Sequence, residues 1–504
     1  MKTIPSLLAA GATGAPAIAA PGRKPTSYAA LRALAARTVE DLNAMGIGRG
    51  DRVAIVLNNG PEMAAAFMSI ASACATAPLN PGYRHDEFEF YLGDLQPKAL
   101  VIDAGCPSPS REVAASLSIP IVELRGEKTA VAGTFRLETS LRGKAASPGP
   151  AQPDDDALLL HTSGTTSRPK LVPLLQRNLT ASAANISRVL ALTPDDTCLN
   201  IMPLFHIHGL VAGVLSSVAA GAQTCCSPGF NALRFFHWFD EVRPTWWTGV
   251  PAMHRAILER SARHPESLKQ HRLRLIRSSS ASLRPALMAS IEKTFNVPVI
   301  ESYGMTEAAH QMASNPLPPS PRKPGSVGRA AGPEIAIMGE GGRLLPAGDS
   351  GEIVIRGPNV FEGYASNPDA NAAAFTNGWF RTGDQGLFDE EGYLRINGRL
   401  KEMINRGGEK VAPIEVDTVL LEHPAVQLAL TFALPHESLG EQVAAAIVVR
   451  EGKTVTEREL REFASKRLAH YKVPHKFVFV KELPRGPTGK LQRIGLAQKL
   501  GLAS

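Results

Sequence analysis

Short apolar runs alternate with helix-period stretches over the first two thirds of the chain. The runs at 53–57, 99–103, 158–162, 273–277 and 298–301 are dominated by Val, Ile, Leu and Ala, as in strands covered on both faces. Between them, segments such as 28–45 place apolar residues every three or four positions, which predicts amphipathic helices. Strands that alternate with helices predict parallel sheets with covered faces. A stretch rich in Pro, Gly and Ala, 142–156, precedes the run at 158–162 and reads as a connection between subdomains.

Past about residue 330 the pattern changes. Short runs at 334–338, 352–356 and 393–397 are separated by Gly341, Gly342, Gly348 and Gly357, which predicts a small β-rich subdomain. A third regime begins near Arg399. An amphipathic helix is expected over 414–422 and strands over 426–434, 443–449 and 476–480. Thr454 with Glu457 reads as a capping box that opens a helix toward His470. About 100 residues of this kind make a plausible α+β domain.

Composition narrows the class. At 504 residues the chain is too long for one core, and at least two domains are expected. The formal charge of +7 is spread thinly, without a Lys/Arg block or an aromatic–basic stripe, so nucleic-acid binding is not expected. Cys74, Cys106, Cys198, Cys225 and Cys226 lack metal-ligand spacing and read as buried free thiols in a reducing compartment. Gly11, Gly14 and Pro16 break the apolar N-terminus, so a folded start is expected rather than a signal peptide. The apolar tract at 209–222 is too short to span a bilayer. The chain ends Gly-Leu-Ala-Ser, which is not a peroxisomal tripeptide, and a cytoplasmic setting is expected.

Candidate chemistry begins between the runs at 157–160 and 171–175. The loop His161-Thr162-Ser163-Gly164-Thr165-Thr166-Ser167-Arg168-Pro169-Lys170 crowds hydroxyls, a glycine and two cations together. Such groups suit a polyphosphate; an ordinary polar turn is the competing reading. The loop is not Walker-type, because it lacks the second glycine and the closing Ser/Thr. The other candidate, Gly486-Pro487-Thr488-Gly489-Lys490, has the wrong spacing and is followed by Leu491.

Four further segments follow in order. Glu301-Ser302-Tyr303-Gly304-Met305-Thr306-Glu307 closes an apolar run. Its glycine suggests a tight turn, its tyrosine a face for a base, and its last carboxylate an oxygen ligand for magnesium. Trp379-Phe380-Arg381-Thr382-Gly383-Asp384 carries a carboxylate acceptor, and Gly398-Arg399-Leu400-Lys401 a pair of cations. Gly407-Gly408 allows close approach to the backbone.

With Lys490, these segments resemble the signature motifs of the acyl-adenylate-forming (AMP-binding) superfamily, which includes acyl-CoA synthetases, luciferases and peptide-synthetase adenylation domains. The resemblance covers essentially the whole chain. It implies an α/β fold with a large N-terminal domain, 1–399, of layered parallel sheets with helices and a small β-rich subdomain. A smaller, mobile α+β C-terminal domain, 400–504, would be hinged at Lys401. Thr162, Ser163, Gly164, Thr165, Thr166 and Lys170 would clamp the β- and γ-phosphates of ATP. Ser280, Ala281, Glu301, Ser302 and Tyr303 would form the nucleotide site, with Tyr303 against adenine. Thr306 would contact phosphate, Glu307 would hold Mg2+, and Asp384 with Arg399 would take the ribose. Gly407 and Gly408 would flank the pantetheine of coenzyme A. Lys490 would be the adenylation lysine, because negative charge builds on oxygen as a carboxylate attacks the α-phosphate.

The implied reaction is AMP-forming ligation of an acid to a thiol. The family's acyl site is lined by 203–209, 278–282 and the residues past Glu307, which here supply His206, His208, Ser280, His310 and Gln311. His206 is also the family's gate position, where it would act catalytically. So polar a lining suits a short dicarboxylate, whose second carboxylate needs a partner when buried. These segments look most like the oxalate–CoA ligase branch, so oxalate is the expected acid. Malonate or another short or medium-chain acid, and loading of a carrier protein instead of free CoA, stay open. The expected partners are the acid and CoA, and the oligomeric state is open between monomer and homodimer.

Overall fold

The computed structural model describes residues 1–126, 131–162, 169–484 and 491–503. Contacts divide the chain into two compact units. The first comprises 1–161, 171–335 and 355–373, and the second 162–170, 336–354 and 374–504.

The first unit is built on two sheets. One has nine strands, in the order Arg329–Ala330, His310–Ser314, Val299–Met305, Leu275–Ser278, Trp246–Gly249, Thr197–Asn200, Gln223–Cys226, Pro16–Ala20 and Arg23–Ser27. The six strands from Val299–Met305 to Pro16–Ala20 run parallel. The other sheet has seven strands, from Phe135–Glu138 at one edge to Lys170–Leu175 at the other. Helix Pro61–Ala71 contacts strands of both sheets. All its residues except Glu62 are buried, as expected of a helix that is apolar all round. The N-terminus is folded as expected, with helix Ile4–Leu8 ahead of a strand of the large sheet.

The second unit holds two five-stranded sheets. The expected strand over 334–338 is present as Glu334–Met338. It lies in the order Glu334–Met338, Gly351–Arg356, Trp379–Phe388, Phe375–Thr376, with Leu394–Arg399 pairing Trp379–Phe388. The other sheet places Gly440–Val449 between Ile404–Arg406 and Val426–His436, with Lys476–Phe479 alongside. Helices Pro413–Leu420 and Glu457–Ser465 cover it.

Three expectations need correction. The capping box is Thr456 with Glu459, not Thr454 with Glu457: the Glu459 amide donates to Thr456 Oγ1 at 3.2 Å, and the Thr456 amide donates to Glu459 Oε2 at 2.7 Å. Both pairs have the same spacing. Only the later register places Val455 and Leu460 just outside and just inside the cap, where both pack on the same apolar cluster. That helix also stops at Ser465, and a separate 3-10 turn covers His470–Lys472. Finally, Cys106 is only half-buried, whereas the other four free thiols are buried.

Candidate active site

Four parallel strands of the nine-stranded sheet end close together. In sheets of this type ligands gather at the carboxyl ends of the strands. After Thr197–Asn200 the chain runs to His206 and His208; Trp246–Gly249 carries Thr248; Leu275–Ser278 carries Arg277 and leads to Ser280; Val299–Met305 leads to Thr306 and Glu307. Strand pairing sets Thr248 beside Arg277, so their side chains leave the same face.

These residues make one buried polar cluster. His208 Nε2 lies 2.6 Å from Thr248 Oγ1, and its Nδ1 lies 3.0 Å from Ser280 Oγ. The ring of His310 stacks on that of His208, with centroids 4.8 Å apart and 24° between planes. His310 is buried with a positive φ of 95°, and its Nε2 has no hydrogen-bond partner among the described residues. Burial, and then the charge of Arg277, depress the basicity of His310; burial, His310 and Arg277 do the same for His208. Both rings are therefore neutral at pH 7. His206 is half-buried, and a proton on it would also oppose protonation of both rings. The structure thus gathers His206, His208, Ser280 and His310.

The next segment lies in strand Val299–Met305 and the 3-10 turn Thr306–Ala308. Glu301 Oε1 accepts from the Leu283 amide at 2.9 Å, and burial raises its carboxyl to about 7. Ser279 Oγ donates to the Ser302 carbonyl at 3.0 Å. Tyr303 is buried and Ala281 exposed. Gly304 does not make the expected tight turn. It sits in the strand, and a Cβ there would overlap the carbonyl oxygen of His310 on the neighbouring strand. The Glu307 carboxylate is 6% exposed, and the Tyr364 hydroxyl donates to its Oε1 at 3.0 Å. A buried carboxylate oxygen is the hard donor that magnesium takes, so the residue fits that ion.

In the second unit, Asp384 and Arg399 pair across adjacent strands, with Nε 3.1 Å from Oδ1. Lys401 lies in the 3-10 turn Leu400–Glu402 and is exposed. Gly407 and Gly408, with φ of 59° and 96°, form the turn between Ile404–Arg406 and Glu409–Val411. Thr162 ends one strand and Lys170 begins the next; Thr162 Oγ1 donates to the Lys170 carbonyl at 3.4 Å. Ser163, Gly164, Thr165, Thr166 and Lys490 lie outside the described residues.

Sequence reasoning missed Arg277, Thr248 and Tyr364 as parts of these clusters, and it placed Gln311 in the acyl lining without a role of its own. Arg277 left a signal: a cation in the middle of the run Leu-Ile-Arg-Ser is out of place on a buried strand. Thr248 and Tyr364 left none, since each looks like an ordinary strand or loop residue.

Known proteins resemble this chain. Residues 8–365 match the AMP-binding enzyme family, and residues 415–490 match the AMP-binding enzyme C-terminal domain. The chain is 46% identical to an oxalate–CoA ligase of Arabidopsis thaliana, across 92% of this chain and 90% of that one. It is 41% identical to an oxalate–CoA ligase of Saccharomyces cerevisiae, across 90% and 88%. Among solved structures, ATP-bound MatB from Rhodopseudomonas palustris superposes with a TM-score of 0.88 at 30% identity, covering 99% of this chain and 98% of that one.

Proposed function

Because the chain belongs to the AMP-binding enzyme family, we propose that the acid it activates is oxalate, held between His208, Ser280 and His310. The enzyme is an ATP-dependent acid–CoA ligase that forms AMP, and it works with Mg2+ and coenzyme A. A carboxylate is a poor electrophile because its leaving group would be oxide. An oxygen of the acid therefore attacks the α-phosphorus of ATP, the bond to the bridging oxygen breaks, and pyrophosphate leaves. The CoA thiol loses its proton and attacks the acyl carbon of the mixed anhydride, and AMP leaves with the electrons of the broken C–O bond.

The proposed roles of the side chains follow their chemistry. Thr162, Ser163, Gly164, Thr165, Thr166 and Lys170 hold the outer phosphates. Tyr303 offers a face to adenine, with Ser280, Ala281, Glu301 and Ser302 around it, and Thr306 contacts phosphate. Asp384 and Arg399 take the ribose hydroxyls. The Lys490 ammonium stabilises charge that builds on the α-phosphate oxygens, and so serves the first step alone. Glu307 holds the Mg2+, which offsets phosphate charge when bound. Gly407 and Gly408 leave room for pantetheine in the second step, and His206 gates the acyl site. A hinge at Lys401 between 1–399 and 400–504 belongs to the same proposal, as does a reducing cytoplasmic setting, which suits the free thiols.

The acyl assignment is carried by the orphaned Nε2 of buried His310, stacked against His208. An aliphatic acyl chain would leave that atom without a partner, at a cost of about 1–3 kcal/mol. A second carboxylate supplies the missing oxygen. The resemblance to two oxalate–CoA ligases favours the shortest diacid. The test is acid-dependent pyrophosphate release across short mono- and dicarboxylates. Oxalate should give the highest kcat/KM, and faster turnover of a medium-chain fatty acid would reject the assignment.

A further inference from the structure

Arg277 is the least expected residue of the first unit. It is fully buried on strand Leu275–Ser278, and no carboxylate pairs with it among the described residues. A buried cation without a counter-ion is costly to keep. Burial lowers its guanidinium to about 9, which still leaves it charged at neutral pH.

Its two Nη atoms are hydrogen-bonded, while its buried Nε has no partner among the described residues. Nη1 lies 3.3 Å from Thr248 Oγ1 and 3.4 Å from His208 Nε2; Nη2 donates to Gln311 Oε1 at 3.1 Å. Gln311 is held in turn, because its Nε2 donates to the Ala331 carbonyl at 3.1 Å. A guanidinium has only donors, so Thr248 Oγ1 accepts from it. Thr248 Oγ1 also lies 2.6 Å from His208 Nε2. A proton on Nε2 would face the guanidinium, whose Nη1 lies 3.4 Å away, so the Thr248 hydroxyl is read as the donor to a bare Nε2. Nε2 is thus the bare nitrogen, Nδ1 carries the hydrogen, and the Nδ1–H donates to Ser280 Oγ at 3.0 Å. Ser280 Oγ, accepting that bond, keeps its own hydroxyl proton to donate elsewhere.

We propose that Arg277 is a specificity-determining positioning residue: through Thr248 it fixes His208 as the Nδ1–H tautomer, so that Ser280 donates to the substrate, and its buried charge favours an acid with a second carboxylate. The acid-selectivity half of this rests on the acyl site assigned above. The tautomer half does not. Every link of the relay donates toward Ser280, and such chains strengthen one another in a low-dielectric site. The charge has no counter-ion among the described residues, and a dianionic acid supplies one.

The experiment uses the full-length enzyme with 15N-histidine and long-range 15N–1H spectra without acid, the His208 signals being assigned by their loss in His208→Gln. Wild type should show a protonated Nδ1 and a bare Nε2. Arg277→Met and Thr248→Val should each release that tautomer, and Arg277→Lys should restore it in part. In the adenylation half-reaction, Arg277→Met should lower kcat/KM for oxalate about tenfold to a hundredfold, the loss of one hydrogen bond to a charged group. The value for glyoxylate, which lacks the second charge, should fall far less, and the KM for ATP should stay within about twofold. A wild-type His208 protonated on Nε2 overturns the relay. An unchanged oxalate-to-glyoxylate ratio in Arg277→Met overturns the selectivity role. If Arg277→Met does not fold, Arg277→Lys and Thr248→Val decide both points. If oxalate is no substrate at all, the site assignment falls while the tautomer spectra still decide the relay.

Discussion

The Tyr364 hydroxyl donates to Glu307 Oε1 at 3.0 Å, and Asn359, from the same stretch, donates through Nδ2 to the Ala308 carbonyl at 2.8 Å. Residues 359–364 therefore hold the turn that presents the Glu307 carboxylate, proposed above to hold Mg2+. Tyr364→Phe removes one hydrogen bond to a charged group, worth about 1.5–3 kcal/mol. The variant should need several-fold more Mg2+ for half-maximal pyrophosphate release. A magnesium titration at saturating ATP and acid measures this, and an unchanged midpoint would show that Tyr364 does not position Glu307.

Glu301 gives the enzyme a pH-dependent stability of predictable sign. Burial raises its carboxyl from 4.5 to about 7. Between those values the folded chain keeps a proton that the unfolded chain has lost, so stability falls as pH rises through the window and levels off above it. One such group contributes a slope of at most about 1.4 kcal/mol per pH unit. Glu301→Gln keeps an acceptor for the Leu283 amide and abolishes the titration. The stability of the variant relative to wild type should therefore grow with pH between about 5 and 7, as read from urea midpoints. A difference that does not change with pH would mean that Glu301 ionises normally.

Gly304 tests how tightly the two strands at the site are packed. The atom in the way of a Cβ is a backbone carbonyl, that of His310, and it cannot move aside by changing rotamer. Gly304→Ala should cost about 3 kcal/mol or more, the upper end for overpacking. It should also displace His310 and raise the KM for the acid. A calorimetric Tm close to wild type would show that the strands separate easily.

The motifs proposed for the nucleotide were legible in the sequence because each is short and local. Glu301 to Glu307 arrive on one strand and turn in the first unit, and Asp384 with Arg399 meet by strand pairing in the second. The buried cluster around His208 is assembled differently. His208, Thr248, Arg277 and Gln311 come from four segments, and only the order of strands in the sheet makes them neighbours. No local pattern encodes that order. The misplaced capping box failed for another reason: two Thr-x-x-Glu pairs overlap, and only packing of Val455 and Leu460 on the core chooses between them. Gly304 likewise looked like a turn glycine, because the strand that crowds it follows it in sequence.

The proposed division of labour between the half-reactions predicts a kinetic separation. Lys490→Ala should abolish acyl-adenylate formation, since its ammonium meets charge that develops only on the α-phosphate. Thioester formation from a supplied acyl-adenylate should survive largely intact. Equal loss of both half-reactions would remove Lys490 from the role assigned to it.

Arg493, three residues beyond Lys490, anchors the same end of the chain. Its Nε donates to Glu402 Oε2 and its Nη2 to Asp417 Oδ2, both at 3.0 Å, and Nη1 reaches the Thr431 carbonyl. It thereby ties the segment after the lysine to the turn that carries Lys401. Asp417 is itself buried, and burial pushes its carboxyl up against the pull of Arg493. Removing the arginine leaves that carboxylate without its cation, a loss of about 3–5 kcal/mol for a buried pair. Arg493→Ala should raise amide exchange across strand Val426–His436 and slow adenylation. Arg493→Lys, which keeps the charge but loses the fork, should fall between it and wild type. Exchange confined to the last ten or so residues, with the strand still protected, would mean that Arg493 anchors the tail alone.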